Sequence, residues 1–84
     1  MEDTIREFVL DAIQKKYPLD PKIDVDSFNF VSNGYVDSLG LVQFVIGIED
    51  EFGIEFTDED LENPDFKIVG KLVEMIGKKV AELA

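Results

Sequence analysis

The chain of 84 residues contains no cysteine and no histidine. The first absence excludes a disulfide and a cysteine-based metal site. The second excludes a Ser-His-Asp or Cys-His catalytic apparatus within the chain. Any thiol chemistry must therefore come from a group added to it. Long apolar runs are also missing, and none approaches the roughly 20 residues needed to span a bilayer. Met1-Glu2-Asp3 is acidic where a secretory signal needs a basic stretch, so a cytoplasmic chain is expected. Bases are scarce: eight against nineteen acids give a net charge of −11. Between Lys22 and Lys67 there is no Lys or Arg, while that interval holds twelve acids, from Asp24 to Asp65. Such a block would repel the phosphates of nucleic acid. It suits a partner with a basic surface and predicts self-repulsion at low salt.

The length fits one domain, residues 1–84, with a small core. Its organising stretch is Gly34–Phe52, GYVDSLGLVQFVIGIEDEF. Gly34 can take the positive φ of a tight turn. Asp37 is a good N-cap, and Gly53 a good stop, for a helix from Ser38 to Phe52. Steps of about 100° per residue put Leu41, Phe44, Val45, Ile48 and Phe52 on one side, an ordinary core stripe. Leu39, Val42 and Ile46 form a second apolar stripe roughly 130° away, with Ser38 beside it. A second stripe in so small and acidic a protein calls for a partner. Ser38 also lies at a helix N-terminus, where free N–H groups and the positive dipole end favour an anion such as a phosphodiester.

The flanking segments read as scaffold. Ile5, Phe8, Val9, Ala12 and Ile13 follow helical spacing and predict a helix over residues 3–17, with Asp3 as cap, Lys15 and Lys16 in the last turn, and Pro18 as terminator. Residues 18–36 form a long connection pinned by Val25, Phe28, Phe30 and Val31, with one helical turn near Asp26–Asn29. After Gly53, Ile54–Phe56 is extended, and Thr57 caps a short helix, Asp58–Glu62. The acids of that helix fit no EF-hand spacing; they suit its dipole, with a loose divalent-cation site as the alternative, and no metal site is assigned. A last helix runs from Phe66 to Glu82, with Val69, Leu72, Val73, Ile76 and Val80 on one face. Gly70 and Gly77 share a side of it that permits close packing. The expected fold is all-α, a small four-helix bundle with one short helix.

The pattern Gly34-x-x-Asp37-Ser38-Leu39, with an apolar helix ending Glu49-Asp50-Glu51-Phe52-Gly53-Ile54-Glu55-Phe56, resembles the acyl carrier protein family over nearly the whole chain. The resemblance implies that Ser38, flanked by Asp37 and Leu39, carries a 4′-phosphopantetheine arm transferred from coenzyme A by a phosphopantetheinyl transferase. The arm would hold an acyl group as a thioester for fatty-acid, polyketide or other specialised lipid synthesis, and the chain itself would catalyse nothing. A D-alanyl or aminoacyl (peptidyl-type) carrier, with the same serine and another cargo, is the alternative. Val42, Ile46, Glu49 and Asp50 are the docking residues for loading and processing enzymes with basic surfaces. A monomer is expected. The resemblance also implies that cargo folds back toward the core, with Phe44, Val45 and Ile48 either lining its path or simply packing. Many carriers of fatty-acid synthesis have acids two and five residues after the serine. Gly40 and Gln43 stand there instead, which points from a general fatty-acid carrier toward a dedicated one.

Overall fold

Capping residues set the ends of the two middle helices, and side-chain bonds in the adjoining turns set the end of α1 and the start of α4. The computed structural model describes residues 2–15 and 18–83. In it α1 spans Glu2–Ile13, α2 Ser38–Phe52, α3 Asp58–Glu62 and α4 Val69–Leu83, with 3-10 turns at Val25–Ser27 and Pro64–Lys67. Among the described residues the only strand-like pairing is an antiparallel bridge between Asn29 and Ile68. The architecture is the expected small helical bundle. No helix among the described residues is long and apolar enough to cross a membrane.

α2 and α3 have the bounds their caps dictate. Gly53 ends α2 in the left-handed region, φ 65°, and its N–H donates to the Glu49 carbonyl. Thr57 and Asp60 form a reciprocal capping box on α3. The outer helices depart from expectation. α1 ends at Ile13, four residues early, because Gln14 turns the chain. Its backbone N–H and its side-chain amide both donate to the Leu10 carbonyl, at 3.1 Å, and its Oε1 accepts from the Leu19 N–H at 3.0 Å. Lys15 therefore follows the helix, and Lys16 lies outside the described residues. Asp3 lies within α1 and is not its cap. α4 begins at Val69 and not Phe66. The Asn63 side chain accepts from the Asp65 N–H, which starts a separate 3-10 turn, and Ile68 is extended with φ −107° and ψ 125°. Phe66 reaches the core from that turn.

The core is built from Ile5, Val9 and Ile13 of α1, Phe44 and Ile48 of α2, and Val69, Leu72, Val73 and Ile76 of α4, closed by Phe30, Ile54 and Phe66. α4 packs closely on α1. α2 stands farther off, because aromatic rings hold it there: Phe52 meets Phe8 edge-on and Phe44 meets Phe30 likewise, each pair with centroids 5.4 Å apart. Phe8 and Ala12, placed by spacing in the core stripe of α1, are only half-buried.

The long connection is fastened along its length. Asn29 Oδ1 accepts from the N–H groups of Val31 and Ser32, and the Asn33 amide donates to the Asn29 carbonyl at 2.7 Å. Phe30 is fully buried. Tyr35 packs edge-on against Phe28, and its hydroxyl donates to the Pro18 carbonyl. Gly70 admits the Val25–Ser27 turn: a Cβ there would lie 2.8 Å from the Asp26 carbonyl oxygen. Gly77 differs from it, since a Cβ at that position would meet Ile5 at an ordinary 4.0 Å.

Candidate functional site

The connection delivers Ser38 to the solvent-facing start of α2. Gly34 turns at φ 76°, and its N–H donates to the Val31 carbonyl at 3.1 Å. The Tyr35 N–H donates to the Phe30 carbonyl at 3.0 Å, which anchors the turn on a buried ring. Asp37 is extended, and its Oδ1 accepts from the Gly40 N–H at 2.7 Å. A Cβ on Gly40 would sit 3.0 Å from that oxygen, so glycine keeps the cap tight. Asp37 thus satisfies one of the orphan N–H groups of the first turn. Ser38 follows as the first helical residue, exposed. The first turn of α2 carries no acid. Gly40 and Gln43 add no carboxylate to that of the Asp37 cap, so the positive end of the dipole still favours an anion on Ser38.

The two stripes separate as expected. Phe44 and Ile48 are buried, and Leu41, Val45 and Phe52 pack partly buried against them. Leu39, Val42 and Ile46 are 71%, 56% and 58% exposed. Ile46 continues into a shallow recess of about 530 Å³ shared with Glu49, Asp50, Ile54, Glu55 and Phe56. Asp50 is exposed there. Glu49 is half-buried, and its Oε2 accepts from the Phe56 N–H at 2.9 Å, so it fastens the segment after α2 as well as edging the recess.

The acidic block is less bare than its composition. Arg6 of α1 pairs with Asp26, and Lys79 of α4 reaches Asp60 at 2.7 Å. Both bases come from outside the block, which a linear reading cannot see. The Lys79 ammonium also lies 5.7 Å from the centre of the Phe56 ring. Its hydrogen bond, together with that of the Thr57 N–H, holds the Asp60 carboxyl below its ordinary value.

Spacing alone also missed a second concave feature at this end of α2. A groove of about 220 Å³ opens between α1 and α2, with Asp37 at its upper end and Gly40, Gln43, Phe44 and Gly47 along one wall. The signal was present: Gly40 and Gly47 are seven residues apart and so lie on one side of the helix. Of the side chains weighed as cargo lining, Phe44 borders this groove, Ile48 is sealed in the core, and Val45 packs against the core.

An exposed serine at a capped helix start beside an exposed apolar stripe is the geometry of a protein that bears a group and presents it. Comparison with known proteins agrees. The family model described as "Phosphopantetheine attachment site" matches residues 7–76. An acyl carrier protein of Lactobacillus acidophilus is 33% identical over 75 residues, 89% of this chain and 91% of the relative. One of Thermosynechococcus vestitus is 31% identical over 80 residues, 95% of this chain and 96% of the relative. One of Lactobacillus johnsonii is 32% identical over 75 residues, with coverage of 89% and 91%. The chain belongs to the acyl carrier protein family. It is a non-catalytic carrier whose prosthetic group is 4′-phosphopantetheine, and it works with a phosphopantetheinyl transferase and acyl-processing enzymes.

Proposed function

We propose that Ser38 is the attachment residue and that Leu39, Val42 and Ile46, with Asp50 and Glu49 at the rim, form the docking face for enzymes with basic surfaces. The observation that carries this reading is the exposed Ser38 at the N-terminal end of α2, beside three exposed apolar side chains. In the loading step the Ser38 oxygen bonds to the phosphorus bearing the pantetheine. The pyrophosphate P–O bond of coenzyme A breaks, adenosine 3′,5′-bisphosphate leaves, and the serine proton passes to the transferase. The residues of the chain contribute position and charge: Asp37 fixes the turn, and the dipole stabilises the phosphodiester. The arm supplies the thiol that holds cargo as a thioester.

The cargo we propose is an acyl group for lipid or polyketide synthesis by a dedicated set of enzymes, on the strength of Gly40 and Gln43. Loading of the same arm by an amino-acid ligase would replace this cargo with an aminoacyl group. Incubation with coenzyme A and a broad-range transferase should add one arm by intact mass, and peptide mapping should place it on Ser38. Ser38→Ala should stay folded and gain nothing. An arm on Ser27 or Ser32, or none under competent conditions, would sink the assignment.

A further inference from the structure

We infer that Asn29 is a positioning residue for loading of the arm, an inference that rests on Ser38 as the attachment residue. The first turn of α2 has little packing of its own. The helix has no buried side chain before Phe44. Ser38 and Leu39 are exposed, and Gly40 has no side chain to pack. Val36 and Leu41 reach the core only partly buried. Helix ends with so few buried contacts open readily. What steadies Ser38 is the Asp37 cap and the chain that leads into it.

Asn29 organises that chain. Its Oδ1 accepts from the Val31 N–H at 3.1 Å and from the Ser32 N–H at 2.8 Å. Its main-chain carbonyl accepts from the Asn33 N–H at 3.3 Å and from the Asn33 side-chain amide at 2.7 Å. The successive N–H groups from Val31 to Tyr35 are all bonded within this loop, and Asn29 takes the first three. The last two depend on them. With residues 31–33 drawn over Asn29, the Gly34 N–H reaches the Val31 carbonyl at 3.1 Å and the Tyr35 N–H reaches the Phe30 carbonyl at 3.0 Å. Asparagine suits the task, because its short side chain bonds N–H groups two and three residues on and so mimics a turn of backbone. An alanine there would leave the Val31 and Ser32 N–H groups to water.

Asn29 is in turn held from outside the loop. It pairs with Ile68 in the antiparallel bridge, and its neighbours Phe28 and Phe30 bond Val69 and Lys67. Phe30 is sealed in the core, and Val69 starts α4. Asn29 therefore stands where the packed part of the molecule meets the turn that carries Ser38. Val42, Ile46 and Asp50, on the proposed docking face, all lie later on α2, beyond this network. Loss of the Asn29 side chain should leave the encounter with the transferase intact and spoil the alignment of the Ser38 oxygen with the phosphorus. Alignment is felt in the transfer step and not in binding.

The test measures loading of the full chain by a broad-range transferase with coenzyme A, at a temperature where each variant is folded. Asn29→Ala should load with a kcat several-fold below the wild type and an unchanged KM for the carrier. Asn29→Asp keeps the accepting oxygen and should restore kcat. Amide hydrogen exchange at Ser32, Gly34 and Tyr35 should quicken in the alanine variant and return in the aspartate one, with Ile48 unaffected in both. Asn33→Ala removes only the 2.7 Å side-chain bond and leaves the bridge in place. It should lower kcat in the same sense by less, and it stands in if Asn29→Ala folds poorly. A wild-type kcat in the folded alanine variant, a change confined to KM, or an aspartate that fails to restore kcat would reduce Asn29 to a stabilising role and overturn the inference. An arm mapped to another serine would overturn the attachment reading as well, whereas an arm on Ser38 added at the wild-type kcat overturns this inference only.

Discussion

Glu49 accepts a hydrogen bond from the Phe56 N–H across the turn that ends α2. One carboxylate thus fixes where the chain goes after α2 while also edging the recess below Ile46. Its neighbour Asp50 is exposed and has only the second task. Glu49→Ala should therefore cost about 1–2 kcal/mol, since it orphans a half-buried N–H. Asp50→Asn should stay within about 0.5 kcal/mol and still slow transfer to a basic partner. Melting curves and transferase rates on both variants separate the roles, and equal stability losses would refute the division.

The two stripes of α2 should respond oppositely. Phe44→Ala removes a buried ring that packs on Phe30 and should cost about 3–5 kcal/mol, enough to threaten so small a fold. Val42→Asp and Ile46→Asp alter side chains that are more than half exposed and should melt within about 0.5 kcal/mol of the wild type. The same aspartates should slow arm or cargo transfer, because docking would bury an unpaired charge. Folded variants that are processed at the wild-type rate would place the docking surface elsewhere.

Gly70 and Gly77 predict opposite signs for one substitution. Alanine is the better helix former by roughly 1 kcal/mol, and at Gly77 the space is free, so Gly77→Ala should stabilise by about that amount. At Gly70 the new methyl would meet the Asp26 carbonyl oxygen at 2.8 Å, so Gly70→Ala should destabilise by about 1–3 kcal/mol despite its propensity. Denaturant midpoints for the pair check this. Two changes of the same sign would mean the Val25–Ser27 turn yields easily.

The Lys79–Asp60 pair fastens α3 to α4. Asp60 is held below its ordinary 3.8, so its stabilisation is present at neutral pH and is lost only as pH falls below 3.8. Lys79→Met should cost up to about 1 kcal/mol at pH 7, and the gap to wild type should close in acid below that value. Melting the two proteins across pH 2–7 reads this directly, and a gap that persists unchanged at the acid end would assign the loss to the Phe56 contact instead.

The parts of this protein that could be read from its sequence are those set by common capping residues and by helical spacing. Asp37 and Gly53 bracket α2, and Thr57 opens α3, by bonds within a few residues, so those bounds and the exposure of Leu39, Val42 and Ile46 followed from spacing. The end of α1 depended on Gln14 reaching Leu19, and the start of α4 on Asn63 opening a turn of its own. Neither residue type announces such a role. The pairing of Arg6 with Asp26 and Lys79 with Asp60 joins segments far apart in the chain. The groove beside Ser38 depended on how far Phe8 and Phe52 hold two helices apart, a distance that no periodicity contains.

The bridge between Asn29 and Ile68 has a consequence for the order of events in synthesis. It is completed by two bonds, from the Phe30 N–H to the Lys67 carbonyl and from the Val69 N–H to the Phe28 carbonyl. The loop that hands Ser38 to α2 is thus fastened by residues that leave the ribosome long after the serine does. Closing so distant a contact comes late in folding, when the rest of the chain rewards its entropic cost. Until residue 69 has emerged, α2 has its full sequence but the loop before it lacks this last fastening. A transferase that requires the formed turn would then modify finished molecules and pass over nascent ones, so that attachment of the arm marks a chain that has completed its fold.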